Sequence, residues 1–258
     1  EILLQTSTVN TKALRAYTLS DHTIFWTYSG VMGIRTTPVI DSLNNIYVAE
    51  ATTPRKVVCV DGQTGLAIWQ TEIGANEYLT GCGALSMDQN TFFIASIGDE
   101  DVPSEGNLYA ISTYDGSIRW TCNTKSAGSG SRRDERYICS VDSENKVYVT
   151  AQGNKDNVFP NPAMTPTISC VRDDGASGSL LWSFSLDDRP YRQAGGTSFS
   201  IGPDGTLFAA LTLEPLQESD NLKSLYAFRD STAPEIIDMQ RNASENIEIT
   251  WRSQYGVT

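Results

Sequence analysis

Four side chains in two variable stretches of the sequence are of the types that bind anions. They are Arg133, Arg136, Tyr191 and Arg192. A guanidinium group donates two parallel hydrogen bonds to a carboxylate or a phosphate, and a nearby tyrosine hydroxyl can add another. The combination predicts a site for a protein or a small anionic ligand. Because Asp and Glu interleave with these arginines, a solvated loop of mixed charge is the competing interpretation.

A short acidic stretch offers the oxygen ligands that calcium prefers. Its members are Asp99, Asp101 and Glu105. Their spacing departs from the EF-hand loop, whose third acidic position falls on Pro103. A solvated acidic loop is therefore the favoured interpretation, and a calcium site is the alternative.

The sequence offers few groups for catalysis. His22 is the single histidine, which disfavours the metal sites and catalytic triads that depend on imidazole. No paired carboxylates and no nucleophile–base arrangement stand out, so no catalytic residue and no cofactor are predicted. The five cysteines include no CxxC pair, which disfavours a zinc ribbon or a redox pair.

The charge balance restricts the class of partner. Among 258 residues, 31 are acidic and 19 are basic, which gives a formal net charge of −12. A nucleic-acid surface needs clustered Lys and Arg, and so does docking on an anionic membrane. The apolar runs are only a few residues long, so no membrane insertion is predicted. With 40% hydrophobic residues, the chain can nevertheless bury a core.

The sequence contains an internal repeat that ends in tryptophan. Each copy has a small residue, a strand end, a turn rich in Asp, Gly, Ser or Thr, and then an alternating strand. The copies are residues 16–26, 59–69, 110–120 and 170–182. The fourth copy has two extra residues around its turn, and His22 replaces the turn glycine of the first. We expect Gly65, Gly116 and Gly205 to be turn glycines with positive φ.

A second repeat lies between consecutive tryptophans. It reads as a short strand, an Asp/Asn/Gly turn and a β-branched or aromatic strand, which is typical of a hairpin. Its copies are residues 38–49, 84–95, 139–150 and 199–210, aligned without gaps. The two repeats together make a four-stranded unit with strands A, B, C and D, and no helical periodicity interrupts them. The sequence therefore predicts an all-β protein.

The units recur at the spacing of β-propeller blades. Successive tryptophans are 43, 51 and 62 residues apart, and propeller blades are four-stranded sheets that circle a channel. The sequence accounts for about four to five blades. We therefore expect it to be an incomplete segment of a larger propeller, within a longer chain or an assembly.

The first repeat resembles the tryptophan-docking motif of the PQQ-like, or quinoprotein-type, β-propeller family. The pattern is small-x-[Asp/Ser]-x-x-[Thr/Asp]-Gly-x-x-x-Trp, and it is clearest in residues 59–69. That family includes quinoprotein alcohol dehydrogenases, the outer-membrane-assembly lipoprotein BamB, and sensor or scaffold domains. The resemblance implies that four indoles pack flat between blades, in the room that the small residue leaves. They belong to Trp26, Trp69, Trp120 and Trp182.

Two cysteines occupy the small position of the motif. Cys59 and Cys170 are therefore expected to be buried packing residues. They lie in different blades, too far apart for a disulfide, so both are predicted to be reduced. A disulfide between Cys122 and Cys139 is neither predicted nor excluded, because the two residues lie near opposite ends of one D–A connection. The state of Cys82 is not predicted.

The end of the sequence fits the repeat less well. Residues 1–230 are assigned to propeller blades, but Trp251 comes later than the repeat requires. Residues 231–258 are interpreted as an insertion in the last blade or as the start of a fibronectin-III-like domain.

Propeller geometry separates the connections into two faces. The A–B and C–D turns form one, here called the turn face, and the B–C and D–A loops form the other, here called the loop face. The loop face has the long connections: residues 98–106, 152–166 and 213–223 between B and C, and 70–82, 121–137 and 183–197 between D and A. Because long variable loops on a rigid scaffold usually carry binding, the site is expected on the loop face.

The leading functional hypothesis is a non-catalytic, BamB-like propeller that serves as a protein-interaction, ligand-binding or structural module. One alternative is a fragment of a dehydrogenase that depends on PQQ and calcium. Those enzymes often have adjacent cysteines that form a ring disulfide, and this sequence has none. Another alternative is an extracellular sensor or adhesion segment. The resemblance implies an extracellular or periplasmic location, and fold alone does not choose among these functions.

Overall fold

The structure of the chain, a computed structural model, describes fifteen ranges. They are residues 2–6, 14–28, 36–50, 54–74, 77–79, 81–98, 105–127, 138–151, 153–154, 167–185, 191–203, 205–215, 223–230, 234–241 and 247–253. Every regular element within these ranges is a β strand, and the all-β prediction is confirmed. No helix in the described ranges is long and apolar enough to cross a membrane.

Blades 1 and 2 are antiparallel sheets of consecutive strands. Blade 1 contains β1 (Ile2–Thr6), β2 (Leu14–Thr18) and β3 (Ile24–Tyr28). Blade 2 contains β5 to β8, preceded by the two-residue strand β4; the bounds are β4 (Thr36–Thr37), β5 (Val39–Ile40), β6 (Asn45–Glu50), β7 (Lys56–Asp61) and β8 (Ala67–Glu72). In blade 2 the order A, B, C, D corresponds to β5, β6, β7 and β8.

Blade 3 has the same four strands and a fifth, β9 (Glu77–Leu79). The two-residue strand β10 (Gly81–Cys82) precedes its A strand and pairs with β4. The other bounds are β11 (Ala84–Leu85), β12 (Thr91–Gly98), β13 (Glu105–Ser112) and β14 (Ile118–Ala127). Strands β11 to β14 are A to D, and β9 pairs with the far end of β12.

Blades 4 and 5 complete the described strands. Blade 4 is built from β15 (Cys139–Val141), β16 (Lys146–Ala151), β18 (Thr167–Asp173) and β19 (Gly178–Ser185), with β17 (Gly153–Asn154) between its B and C strands. Blade 5 contains β20 (Tyr191–Ile201), β21 (Leu207–Pro215), β22 (Lys223–Asp230), β23 (Pro234–Arg241) and β24 (Ile247–Ser253). These five strands pair in sequence order, and β17 pairs with β20.

The last two strands continue the sheet of blade 5. Ile237 on β23 stands opposite Ala227 on β22, which is the place where the other blades have tryptophan. Trp251 lies one strand further out on β24, opposite Ile237. The division of the chain into residues 1–230 and 231–258 stays a prediction.

One sequence alignment needs correction in blade 3. In blade 2 the A–B turn closes when Asp41 N donates to Asn45 O at 3.0 Å. In blade 3 the equivalent bond runs from Ser86 N to Thr91 O at 2.9 Å. The turn of blade 3 therefore has one residue more than the gap-free alignment of the second repeat gives.

Consecutive blades pack face to face through separate hydrophobic clusters. Along β6, Ile46 and Val48 pack against blade 1, whereas Tyr47 and Ala49 pack against blade 3. Both faces of an inner strand are thus buried, which explains why its sequence is an apolar run rather than an alternation of apolar and polar residues. The core of each described pair of blades lies between the sheets.

A β-bulge recurs between strands C and D at the small position of the motif. In blade 2 Cys59 stands opposite Trp69 while the next residue, Val60, stands opposite Ala67, so Ile68 is the extra residue. The same register shift occurs in blades 1, 3 and 4. A bulge re-aims the neighbouring side chain, and here the indole faces the next blade while Ile68 is exposed.

Candidate functional site

The tryptophans of blades 1 and 2 reach the C–D turn of the following blade. Trp26 Nε1 donates a hydrogen bond to Gly62 O at 2.8 Å. Trp69 Nε1 donates to Thr113 O at 2.9 Å. Gly62 and Thr113 occupy the same place in their repeats, so the contact is repeated from one blade pair to the next.

The later blades vary this contact. Trp120 Nε1 donates to the Oδ1 atom of Asp173 at 2.9 Å, and a Cβ on Gly178 would lie 2.4 Å from its ring. The two extra residues of the fourth repeat fall between these two contacts, so both are kept. Trp182 stacks on Phe228 of blade 5 with ring centroids 5.5 Å apart. Trp26 and Trp120 are buried, whereas Trp69 and Trp182 are half-buried.

Turn glycines make room for these indoles. Gly65, Gly116 and Gly205 have φ values of 71°, 74° and 79°, which confirms the expectation of positive φ. A Cβ on Gly65 would lie 2.7 Å from the Trp26 ring, and one on Gly116 would lie 2.6 Å from the Trp69 ring. These two glycines therefore satisfy a backbone requirement and a packing requirement together.

On the loop face, Glu77 fixes the D–A connection before blade 3. Its carboxylate accepts hydrogen bonds from Ser96 Oγ on β12 and from Asn107 Nδ2 on β13, the latter at 2.9 Å. Tyr109 is also hydrogen-bonded to Glu77, and burial together with that bond raises the pKa of the tyrosine. The network holds β9 against the end of β12.

A second carboxylate, which is buried, ties blade 1 to blade 2 on the same face. The Tyr28 hydroxyl donates to Glu50 Oε1 at 2.9 Å, and Glu50 is 2% exposed. Burial is the larger cause of the raised pKa of Tyr28, and the bond to Glu50 adds to it. Sequence reasoning missed Glu50 and Glu77, because their partners come from distant strands and no local pattern signals them.

Of the four predicted anion-binding residues, the structure describes the backbone of two. Tyr191 and Arg192 are the first two residues of β20, whose side chains the structure does not describe. The next residue, Gln193, pairs with Asn154 of β17, so a B–C loop and a D–A loop meet beside them. Arg133 and Arg136 lie outside the described residues. Their part in binding stays a prediction.

The acidic calcium candidates are also only partly described. Glu105 is the first residue of β13 and pairs with Ala127, while Asp99 and Asp101 lie outside the described residues. Among the residues that the structure does describe, no group of three or more His, Cys, Asp or Glu could hold a metal ion. The calcium alternative stays a prediction.

The inner edges of blades 2 to 4 do not fit an anionic quinone cofactor. Thr36 and Thr37 pair in parallel with Gly81 and Cys82. Cys82 also forms an isolated β-bridge through its backbone with Ile138. The A strands beside them have the sequences VI, AL and CSV. A polar polyanion such as PQQ needs convergent cationic donors, and these described segments contain neither Lys nor Arg.

The cysteines of the motif are packing residues. Cys59 and Cys170 are 1% and 0% exposed, which confirms that expectation, and burial raises the pKa of Cys59 to about 12. Neither is in a disulfide, and Cys82, Cys122 and Cys139 are also free thiols. Burial raises the pKa of each of these three as well. Thiols with raised pKa are poor nucleophiles at neutral pH.

By sequence, the chain matches no protein-family model and no curated protein. Among solved structures it is similar to hydrazine synthase from Kuenenia stuttgartiensis, with a TM-score of 0.64 and 10% identity over 88% of this chain and 60% of that one. It is also similar to a protein of unknown function from Bacteroides caccae, with a TM-score of 0.53 and 10% identity over 88% and 73% of the two chains.

A third similar structure is a quinohemoprotein alcohol dehydrogenase from Pseudomonas putida. The TM-score is 0.55, and the identity is 15% over 98% of this chain and 41% of that one. The chain thus spans 60% of the length of the hydrazine synthase chain and 41% of the dehydrogenase chain. These similarities and the four-stranded antiparallel sheets confirm the predicted fold class, an all-β protein of β-propeller blades.

Proposed function

We propose that this propeller segment is a non-catalytic binding module of the BamB-like kind, which binds a protein or a small anionic ligand through its loop face. The observation that supports the proposal is the way that face is built. The carboxylates of Glu50 and Glu77 hold the ends of neighbouring strands on that face, where the sequence has its long connections. Function on such scaffolds commonly resides in the loops.

Strand lengths add support, because the blades lengthen towards the loop face. The B, C and D strands of blade 2 have six residues each, whereas those of blade 3 have eight, eight and ten. The A strand of blade 5 has eleven residues and begins with Tyr191 and Arg192. The added length carries the strand ends of blade 3 further from the turn face than those of blade 2.

A binding assay with a matched control tests the proposal. The probe is a fluorescein-labelled peptide of repeated Glu-Gly units, followed by anisotropy, with citrate as the small anion in calorimetry. We expect micromolar affinity and a loss of about tenfold or more when four residues are replaced by alanine. They are Arg133, Arg136, Tyr191 and Arg192.

The control variant is Arg172→Ala. This exposed arginine pairs with Asp174 at 2.7 Å beside the C–D turn of blade 4, away from the loop face. Its removal lowers the positive charge of the chain without touching the proposed site. Equal weakening by the control and by the fourfold variant, or binding that the fourfold variant leaves unchanged, would contradict the proposal.

The dehydrogenase alternative needs its own experiment. The chain is titrated with PQQ and calcium in a calorimeter, and dye-linked alcohol oxidation is then measured. The neutral inner segments of blades 2 to 4 lead us to expect no saturable binding. Micromolar binding followed by alcohol oxidation would establish the dehydrogenase instead. We further propose an extracellular or periplasmic location, from the family resemblance, which surface labelling of intact cells tests.

A further inference from the structure

The turn face is a continuous hydrogen-bonded surface. Within blade 2, Gly62 N of the C–D turn donates to Asn44 O of the A–B turn at 3.0 Å. Between blades, Ser42 N donates to the Oε1 atom of Gln89, in the A–B turn of blade 3, at 2.8 Å. Together with the bonds from the indoles to the C–D turns, these contacts fix the turns of blades 2 and 3 relative to one another and tie strand β3 of blade 1 to blade 2. A partner would meet a pre-organised surface.

Large apolar side chains project from these fixed turns. Leu19, Leu43, Leu66, Met87 and Tyr114 are 41%, 77%, 68%, 65% and 90% exposed. All five belong to A–B or C–D turns of blades 1 to 3. Single exposed apolar residues are normal on a protein surface, but a group that shares one rigid face is typical of an interaction surface.

The same turns are strongly acidic. They comprise residues 18–23, 41–45, 61–66, 86–90, 112–117, 142–146 and 173–178. Nine carboxylates lie in these ranges, namely Asp21, Asp41, Asp61, Asp88, Asp115, Asp142, Glu144, Asp173 and Asp174. They contain one cationic side chain, Lys146, which pairs with Glu144 at 3.0 Å. With nine carboxylates, of which Asp41 is buried, and one cation, the turn face is strongly negative.

Hydrogen bonds in the turns favour the ionised form of four of these carboxylates. Bonds from turn hydroxyls and backbone amides lower the pKa of Asp21 and Asp88, and bonds from backbone amides and neighbouring hydroxyls do the same for Asp61 and Asp115. The groups remain at the surface, where they act on an approaching partner and complement positive charge.

We propose that the turn face binds a basic segment of a partner protein that also presents apolar side chains. The carboxylates select Lys and Arg, and the five apolar side chains contact the apolar residues between them. A second copy of this chain would bring the same carboxylates to the contact and be repelled, and so would nucleic acid or an anionic membrane. The surface is distinct from the loop face, and the inference does not depend on the function proposed there.

Fluorescence anisotropy tests the proposal with a labelled peptide of repeated Gly-Lys-Leu-Lys units. We expect roughly micromolar affinity at low salt, with weaker binding as sodium chloride is added. A peptide with Ser in place of Leu, and another with Glu in place of Lys, are expected to bind at least about tenfold more weakly. Equal affinity for the Leu and Ser peptides would overturn the proposal, because it would reduce the interaction to nonspecific attraction of charge.

Two triple variants locate the binding. Leu43→Ser, Met87→Ser and Tyr114→Ser remove three of the five exposed apolar groups of the A–B and C–D turns, and we expect affinity to fall about tenfold. The matched control replaces exposed apolar residues at the bulges of three D strands, two or three residues beyond the turns. Its changes are Phe25→Ser, Ile68→Ser and Leu181→Ser. No binding to the wild-type chain, or equal losses in the two variants, would refute the assignment to the turn face.

Discussion

At the scale of single residues, the contact between an indole and a turn glycine decides how closely two blades approach. Gly116 accepts the Trp69 ring against its Cα, and Thr71 Oγ1 donates to its carbonyl oxygen. Its positive φ of 74° would disfavour any other residue by itself. The cost of side-chain volume can be measured separately from the cost of backbone conformation, because Gly175 also has a positive φ but has no atom close to the position of a Cβ.

Gly116→Ala is expected to be far more destabilising than Gly175→Ala. Both glycines have positive φ, but a Cβ on Gly116 meets the Trp69 ring at 2.6 Å whereas one on Gly175 meets nothing within 4 Å. We expect the free energy of unfolding to fall by about 3 kcal/mol for the first and by about 1 kcal/mol for the second. Urea denaturation measures both, and equal losses would show that the indole contact does not limit the packing.

His22→Gly is expected to stabilise blade 1. His22 stands in the first repeat where Gly65 and Gly116 stand in the next two, and it has a φ of 58°. Relief of this left-handed conformation outweighs the greater chain entropy of glycine, so the free energy of unfolding should rise by about 0.5–1 kcal/mol. Asn44→Gly is the control, since asparagine tolerates its φ of 66°. A melting temperature that falls in His22→Gly contradicts the interpretation.

At the scale of elements, the three-residue strand β9 is held in place by the Glu77 side chain as well as by backbone pairing. Strand β9 pairs with β12 over three residues only. Such a short strand is marginal by itself, and Glu77 adds hydrogen bonds to Ser96, Asn107 and Tyr109. Residues 77–79 of the D–A connection are therefore an ordered part of the loop face.

Glu77→Ala is expected to release this connection. Three polar groups would lose their acceptor inside the blade, which costs about 2–4 kcal/mol in the free energy of unfolding. Hydrogen exchange should increase at residues 77–79 more than elsewhere. Glu72→Ala is the control, because Glu72 is exposed and lies 3.9 Å from Lys56, so it should cost less than about 0.5 kcal/mol. Unchanged exchange in Glu77→Ala would show that backbone pairing alone holds β9.

At the scale of the whole molecule, stability is distributed over the interfaces between consecutive blades. Each described cluster joins one blade to the next, as in other repeat proteins. The turns at one end of these interfaces have carboxylates that accept hydrogen bonds from backbone amides. Stability of the whole should therefore depend on the ionisation of the turns.

The chain is expected to lose stability in acid. The pKa of Asp115 is lowered from 3.8 to about 2 by hydrogen bonds from Ser117, and the pKa of Asp21, Asp61, Asp88 and Asp174 is lowered as well. Because these pKa values lie lower in the folded state than in the unfolded state, their contribution is complete above about pH 4 and is lost as the pH falls towards about 2.

Melting temperatures measured between these pH values test the expectation. Asp115→Asn keeps the acceptor oxygen of the turn but removes the titration, so its profile should be flatter than that of the wild type. A profile as steep in the variant as in the wild type would remove Asp115 from the groups responsible.

The sequence by itself determined the repeated strands of the blades, the C–D turns and the four tryptophan repeats, because each of these follows from neighbours within about a dozen residues. Asp or Ser and Gly in the turns, apolar runs in the inner strands and a small residue opposite each indole are local signals. Tertiary structure alone decided the bulge that turns each indole towards the next blade and the continuation of blade 5 through Ile237 to Trp251. It also decided the contacts of Glu50 and Glu77, whose hydrogen-bond partners are brought in by strands distant in sequence. Such contacts depend on which sheets pack together, and a linear pattern does not contain that information.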